Sequence, residues 1–204
     1  MLLNRSILNL AKLASKDVSR YTLSAIAVEK DKAIVTDTTI LVCVGNTSPI
    51  ANADFPSVPG LVHKTFADGP TPELVLVSRD AALSALKSLP KTTTIPVLSN
   101  AAMGTNGKLY TTDLDNVSQF KHEMTGKFPN WRAVMPAADK TPSATITFDA
   151  RKMRQLCQYF VENGNERMPA VKLTVYDAES AMKLEGTTAD GQKITALLMP
   201  YHID

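Results

Sequence analysis

The side chains that most often carry out catalysis or hold metals are few and scattered in this sequence. Its three histidines, His63, His122 and His202, are predicted to lie in a loop, a strand and the C-terminal tail, and they lack the spacing of common metal-binding motifs. Asp113 and Asp115 flank a predicted turn, where aspartate usually serves the turn itself. No GxSxG, HExxH, GxxxxGK[ST] or GxGxxG motif occurs. We therefore expect no enzymatic activity and neither a metal nor a cofactor.

The two cysteines, Cys43 and Cys157, lie far apart in apolar surroundings and form no CxxC motif. Cys157 falls on the apolar stripe of a predicted helix, so we expect a packed thiol rather than a nucleophile. The scarcity of cysteine favours a reducing compartment. The N-terminal residues lack the unbroken apolar run of a signal peptide, and no stretch approaches the ~18 apolar residues of a membrane span. We expect a cytoplasmic protein with no membrane partner.

Basic residues concentrate in three segments that are predicted to be helices. Residues 3–17, 78–91 and 149–163 hold nine basic and four acidic residues, a net charge of +5 in a chain of +2, which leaves −3 for the other 160 residues. The basic residues are Arg5, Lys12, Lys16, Arg79, Lys87, Lys91, Arg151, Lys152 and Arg154. Helical spacing places the first three on one face and the next three on another, and the last three cluster on a first turn.

Two interpretations of these basic faces remain open. Lys and Arg populate solvated helix faces by default, so the charge can be ordinary surface charge. Because all three segments are basic while the remainder of the chain is acidic, we favour a surface for a polyanion. Such a surface contacts phosphates, and its binding is salt-sensitive and independent of sequence.

Apolar periodicity defines these three helices. The apolar stripe of the first comprises Leu3, Ile7, Leu10 and Ala14. In the second, Ser78 is the predicted N-cap, Pro90 helps to end the helix, and the stripe comprises Leu83, Leu86 and Leu89. In the third, Asp149 is the predicted cap, and the inward-facing residues are Met153, Leu156, Cys157, Phe160 and Val161.

Strand-like runs follow each helix and suggest one unit used three times. Residues 21–44 are predicted to form three short strands, residues 94–124 three more, and residues 170–200 a further three. A strand is also predicted before the second helix (73–77) and the third (143–148), but the first copy has only Met1 and Leu2 there and is predicted to lack it. The repeated unit is thus strand, helix and three strands. We divide the chain into a two-unit domain (1–124), a linker (125–142) and a third unit (143–204).

Three stretches resemble the bacterial replicative sliding clamp, the beta subunit of DNA polymerase III. Residues 126–136 read GKFPNWRAVMP and are similar to that family's G-[RK]-FP-[DN]-[YW]-R-x-V-[LM]-P connector between its second and third domains. Residues 19–44 resemble the start of the second domain, with VTDTTIL where ATDGHRL is usual, and residues 196–204 resemble the closing V-x-MP-[MIV]-R-L. The resemblance covers nearly the whole chain, as the second domain plus the latter half of the third.

This resemblance implies an α+β DNA-clamp (processivity) fold built from repeated βαβββ units, with antiparallel sheets outside and helices on the inner face of a ring. The basic helices are then expected to face duplex DNA, bound without sequence preference. An apolar cleft between the second and third domains is expected to receive peptide motifs of a DNA polymerase or other replication proteins. Carried over by motif position, that cleft includes Thr36, Leu41, Leu198, Met199, Pro200 and Tyr201. For Leu41 and Leu198 the alternative is simple packing in the core.

Departures from the family pattern concern partner specificity and assembly. Ser78 stands where Pro is usual, Thr38, Thr39 and Ile40 replace Gly, His and Arg, and the tail ends in HID rather than RL. A family subunit of usual length has six units and this chain three, so the third leaves a sheet edge and a helix flank uncovered. We therefore expect a homo-oligomer.

The leading hypothesis is a clamp-like processivity factor, cytoplasmic and associated with the nucleoid, that encircles duplex DNA and tethers a polymerase or other replication protein. The alternative is a clamp-fold interaction module that binds replication or repair proteins without encircling DNA.

Overall fold

The computed structural model describes residues 1–46, 50–68, 73–135, 145–163, 169–187 and 193–201, with only the backbone described for residues 18–20. The chain divides into two compact units, Met1–Met135 and Pro136–Asp204. Each unit has its own apolar core.

The first unit contains the strand–helix–three-strand pattern twice. The first copy consists of β1 (Leu2–Asn4), α1 (Arg5–Asn9), β2 (Ala25–Val28), β3 (Lys32–Thr36) and β4 (Leu41–Gly45). The second consists of β5 (Val75–Ser78), α2 (Arg79–Ser88), β6 (Asn100–Met103), β7 (Lys108–Thr112) and β8 (Val117–Lys121). A short strand β9 (Glu123–Met124) follows, and 3-10 turns occur at Leu10–Lys12, Val18–Ser24, Asn52–Asp54, Pro96–Ser99 and Trp131–Val134.

Each copy donates its leading strand to the sheet of the other. The two antiparallel sheets have the orders β1-β6-β7-β8 and β4-β3-β2-β5-β9. Leu3 pairs with Ala101 across β1 and β6, and Ile26 pairs with Val77 across β2 and β5. The prediction that the first copy lacks its leading strand was therefore wrong, because three residues suffice when the partner strand comes from the other repeat.

The first helix is shorter than predicted, and of the four residues in its predicted stripe only Ile7 and Leu10 lie in helical turns, because Leu3 belongs to β1 and Ala14 follows the 3-10 turn. Asn4 caps α1 by accepting a hydrogen bond from the Ile7 amide at 2.9 Å, and the helix continues only as the 3-10 turn to Lys12. Beyond it, the Ser15 amide donates to the Leu23 carbonyl (3.0 Å) instead of extending the helix. Residues 13–17 are consequently not helical, although the predicted stripe is buried: Leu3, Ile7, Leu10 and Ala14.

The second helix begins and ends as the sequence indicates. The Ser78 hydroxyl accepts a hydrogen bond from the Ala81 amide (3.3 Å), which confirms the predicted N-cap. The helix ends at Ser88, and Leu89 is extended, as a residue before proline prefers. α1 and α2 contact each other and share one core with the inner faces of both sheets.

The second unit is a single copy without a described leading strand. It comprises α3 (Ala150–Asn163), β10 (Lys172–Thr174), β11 (Met182–Thr187) and β12 (Lys193–Leu198), with sheet order β10-β11-β12. α3 packs on this sheet through Phe160, whose ring lies 2.9 Å from the position that a Cβ on Gly186 would take. A side chain at position 186 would therefore force the Phe160 ring to shift.

Two predictions for this unit were wrong. Residues 145–148 are not a strand, while residues 143 and 144 lie outside the described part of the chain. Cys157 and Val161 are exposed rather than buried, because α3 turns only the Met153, Leu156 and Phe160 side toward the three-stranded sheet. The predicted apolar stripe covered more of the helix circumference than the three-stranded sheet buries.

α3, with 14 residues, is shorter than the ~20 that a bilayer span requires, and no other helix in the described ranges meets the length and apolarity of a span.

Candidate functional site

A small pocket opens on the first unit, against the outer face of its five-stranded sheet. Its volume is about 280 Å³. Two segments line it together with Leu23: the loop between β3 and β4, and the segment that follows β9. The lining residues are Leu23, Thr36, Thr38, Thr39, Ile40, Leu41, Pro129, Asn130, Trp131 and Val134. None of these ten side chains carries a charge, so the pocket suits an uncharged, largely apolar group.

The segment 126–135, which we call the connector, lies on the sheet because the strands leave room for it. Ala25 and Ala27 on β2 face outward, while Ile26 and Val28 face the main core. The small alanines accommodate the rings of Phe128 and Trp131, both of which are buried. The small residues of β2 thus leave space for the connector on one face of the sheet, while its large residues pack into the main core on the other face.

The other wall of the pocket is a tight loop held by its own polar groups. Asp37 accepts hydrogen bonds from the amides of Thr39 (2.8 Å) and Ile40 (3.0 Å) and from the Thr39 hydroxyl (2.7 Å). The bonds from the Ile40 amide and then from Thr39 hold the pKa of Asp37 below its ordinary value. Thr38 has a φ of 89°, a left-handed conformation that is strained for a β-branched residue.

The predicted cleft residues are distributed over both units. Thr36 and Leu41 line the pocket of the first unit, and the Thr36 hydroxyl donates to the Ile40 carbonyl at 2.7 Å. Leu198 lies at the end of β12 and is buried against Phe160 in the core of the second unit. The remaining predicted residues in this unit differ in exposure: Met199 and Tyr201 are exposed and Pro200 is half-buried.

The predicted basic residues of the first helical segment do not share one surface. Arg5 is half-buried, and its Nη2 donates to the carbonyls of Leu89 (3.1 Å) and Pro90, so its guanidinium links α1 to the end of α2. Lys12 and Lys16 are exposed, but the helical face assumed for them with Arg5 does not exist because the helix ends at Lys12.

Arg79 and Lys16 come together in a second cleft of about 360 Å³, which also contains the carboxylates of Asp80 and Glu123. Arg79 lies 3.5 Å from Asp80, and its Nε is buried without a hydrogen-bond partner among the described residues. Two basic and two acidic side chains line this cleft, so it lacks the net positive charge that a phosphate-binding pocket would have.

The remaining predicted basic residues are solvent-facing. Lys87 and Lys91 are exposed at and just beyond the end of α2. On α3, Lys152 and Arg154 are exposed, while Arg151 forms a two-point ion pair with Asp149, at 3.0 Å from Nη2 and 3.2 Å from Nε. Asp149 also accepts from the Arg151 amide at 2.8 Å, which places it at the predicted cap of α3.

The side chains considered for catalysis, Asp113, His63 and His122, are not among the residues that line the pocket of the first unit. Asp113 accepts a hydrogen bond from the Asn116 amide (2.7 Å) and so holds a turn. His63 and His122 lie in the first unit, and burial lowers the pKa of each below its ordinary value. His202 lies outside the described residues. Over the ranges the structure covers, no three His, Cys, Asp or Glu side chains are grouped as a metal site would require.

Sequence reasoning missed much of the pocket lining, including Leu23, Pro129 and Val134. The connector motif at 126–136 was the available signal for two of these, because the same residues that carry the resemblance form the wall. Glu29 was also missed, and it is almost fully buried against the connector. No sequence signal marked it, since EKDK has the composition of an exposed hairpin turn.

The whole chain is similar in fold to solved bacterial clamp structures. The DNA polymerase III beta chain of Streptococcus pneumoniae TIGR4 aligns with a TM-score of 0.64 and 16% identity, covering 99% of this chain and 49% of that one. The Bacillus subtilis DNA polymerase sliding clamp gives 0.63 and 14%, covering 100% and 50%. The Helicobacter pylori beta clamp bound to a DNA ligase peptide gives 0.61 and 12%, covering 100% and 51%.

This similarity confirms the predicted fold class, an α+β clamp fold with antiparallel sheets. The chain spans about half the length of the solved clamps it matches. No family model and no curated protein matches its sequence.

Proposed function

We propose that this protein is a clamp-like, non-enzymatic tether that holds a replication protein on duplex DNA. The observation that carries the proposal is the uncharged pocket of about 280 Å³ in a chain with the clamp fold. In this proposal an apolar side chain of a partner peptide inserts between the β3–β4 loop and the connector. Copies of the chain assemble around the duplex, so that tethering does not depend on DNA sequence.

The pocket supports the peptide part of this function by its chemistry. It is small for a metabolite but suited to one or two aliphatic or aromatic side chains, the usual anchors of a docked peptide. Val134 contributes an apolar surface that is 71% exposed at its rim. The Helicobacter pylori clamp was solved with a DNA ligase peptide, and we extend peptide binding to this chain as part of the proposal.

The DNA part is supported by the exposed basic residues on or next to the helices. Lys12, Lys87, Lys91, Lys152 and Arg154 have exposed side chains that can reach phosphates. Phosphate contacts from lysine and arginine give affinity without base recognition, which a protein that moves along DNA requires.

Retention on closed circular DNA tests encirclement directly. The protein should remain on a circular plasmid through gel filtration in moderate salt and should be lost once a restriction enzyme linearises the plasmid. The variant Lys12→Glu/Lys87→Glu should be retained less, whereas Lys121→Glu, which reverses an exposed charge on β8 outside the helices, serves as the matched control. Equal retention on circular and linear DNA contradicts encirclement.

A second candidate function is a clamp-fold interaction module that does not surround DNA. Two of the predicted DNA-binding arginines favour it, because the Arg5 guanidinium donates to a backbone carbonyl and the Arg151 guanidinium is paired with Asp149, so neither is free for phosphate. Such a module should bind the ligase peptide with the same affinity whether or not DNA is present, and it should show no dependence on plasmid topology.

A further inference from the structure

Glu29 is a carboxylate buried where none was expected. It follows β2 directly, and its amide donates to the Lys32 carbonyl at 2.8 Å to close the β2–β3 hairpin. Because side chains alternate along a strand, Glu29 faces the same side as Ala25 and Ala27, toward the connector. Its side chain is only 2% exposed. A buried carboxylate is costly unless it is paired and hydrogen-bonded, so its partners show what it holds.

Both partners of this carboxylate belong to the connector. Oε1 accepts a hydrogen bond from the Trp131 indole Nε1 at 3.3 Å, and Oε2 accepts one from the Arg132 Nη2 at 2.6 Å. The Arg132 guanidinium also stacks on the Trp131 ring, 4.3 Å from its centroid, and Lys32 approaches the ring at 5.5 Å. One acidic oxygen therefore fixes the indole edge and the other fixes the guanidinium.

These two residues begin the 3-10 turn that forms the pocket wall. The turn runs from Trp131 to Val134, and the Trp131 amide donates to the Pro129 carbonyl at 2.8 Å. Trp131 itself lines the pocket, and two further lining residues, Pro129 and Val134, lie on either side of the pair that Glu29 holds. A rotation of the turn about its axis would carry Val134 away from the β3–β4 loop.

We propose that Glu29 is a positioning residue of the peptide pocket, whose carboxylate orients the Trp131–Val134 turn so that Pro129 and Val134 face the partner. This inference rests on the proposed function. Burial of Phe128 and Trp131 already attaches the connector to the sheet, and apolar contact is non-directional. The ion pair joins a buried carboxylate to a guanidinium that is 48% exposed, and its fixed geometry adds direction. In some proteins buried ionic groups are retained for specificity rather than for stability.

The experiment uses the full chain and three variants. Glu29→Gln keeps the size of the side chain and removes its charge. The double variant Glu29→Leu/Arg132→Leu removes both charges, so that neither group is left without its partner. Asp68→Asn, which breaks the exposed ion pair with Lys30, is the matched control. Trp131 is the only tryptophan in the sequence, so its emission and its quenching by acrylamide report on the turn itself.

Glu29→Gln should raise acrylamide quenching of Trp131 about twofold and weaken binding of the Helicobacter pylori DNA ligase peptide about tenfold. The double variant should unfold at nearly the wild-type urea concentration yet bind as weakly as Glu29→Gln. Asp68→Asn should match the wild type in all three measurements. If the double variant, with its nearly wild-type stability, bound the peptide as tightly as the wild type, peptide affinity would depend on stability alone. That result would overturn the positioning role.

The two proposals fail in different ways. A wild-type protein that does not bind the peptide refutes the peptide part of the proposed function, while the quenching of Trp131 still decides whether Glu29 orients the turn. Wild-type binding with unchanged quenching and affinity in Glu29→Gln refutes the positioning role and leaves the proposed function intact.

Discussion

Arg5 is the predicted DNA-binding residue whose role the structure changes most, and replacing it gives a sharp prediction. Its Nη2 donates to the Leu89 carbonyl at 3.1 Å and to the Pro90 carbonyl, just past the end of α2. The last carbonyls of a helix have no partner within the helix, and a cation there also interacts favourably with the helix dipole. Arg5→Ala should therefore destabilise the fold of the first unit rather than act on DNA binding.

The magnitude follows from the chemistry of these bonds. A hydrogen bond from a charged donor contributes about 1.5–3 kcal/mol, and two bonds that share one nitrogen are not additive. Because Arg5 is half-buried, solvent reduces but does not cancel this contribution. We expect Arg5→Ala to lower the free energy of unfolding by about 2 kcal/mol. The melting temperature should fall by about 6 °C.

Urea unfolding followed by the emission of Trp131 measures this change, since that residue lies in the same unit and is the only tryptophan. Lys87→Ala, an exposed residue on the same α2, is the control and should change stability by less than about 0.5 kcal/mol. Arg5→Lys should fall between them, because an ammonium lacks the planar fork of the guanidinium. An Arg5→Ala protein of wild-type stability that loses DNA retention would refute the structural role.

Three further outcomes are expected. Val134→Asp should abolish binding of the ligase peptide in a fluorescence titration without lowering stability, since Val134 is largely exposed, whereas Val117→Asp, on β8 away from the pocket, should bind normally. Thr38→Gly should raise the free energy of unfolding by about 1 kcal/mol, because glycine adopts the φ of 89° without strain; a less stable variant would show that the threonine methyl matters more. Burial lowers the pKa of His122 below 6.5, so the unfolded chain binds its proton more readily. The contribution of His122 to stability should fall as pH drops through about 6.5, by at most about 1.4 kcal/mol per unit, and His122→Gln should make the urea-derived profile less steep, with His63 contributing to the dependence that remains.

Local elements were predicted well where a few neighbouring residues decide them. The burial of Ile7 and Leu10 follows from helical spacing, and the start of α2 follows from the hydroxyl of Ser78. Strands β2 to β4 also occur near the predicted breaks, because the breaks are marked by the polar pairs at 30–31 and 37–38. The motif resemblance added the clamp fold, which the solved structures confirm.

Predictions that depended on a partner element were less accurate. The apolar period of α3 includes Cys157 and Val161, but whether that face is buried depends on what packs against it, and the three-stranded sheet covers only the side of Phe160. Likewise, Leu2 could not be assigned to a strand from its neighbours alone, since its pairing partner is Ala102 in the other repeat.

The sequence by itself determined where helices begin, which residues alternate along strands, and that basic residues concentrate on three segments, because these features depend on residues within about ten positions of one another. Only the tertiary structure decided what those residues do. Arg5 binds carbonyls 84 and 85 residues away, and Glu29 binds side chains 102 and 103 residues away. A charged side chain has the same local pattern whether it faces water, phosphate or a buried partner, and the folded chain alone selects among these environments.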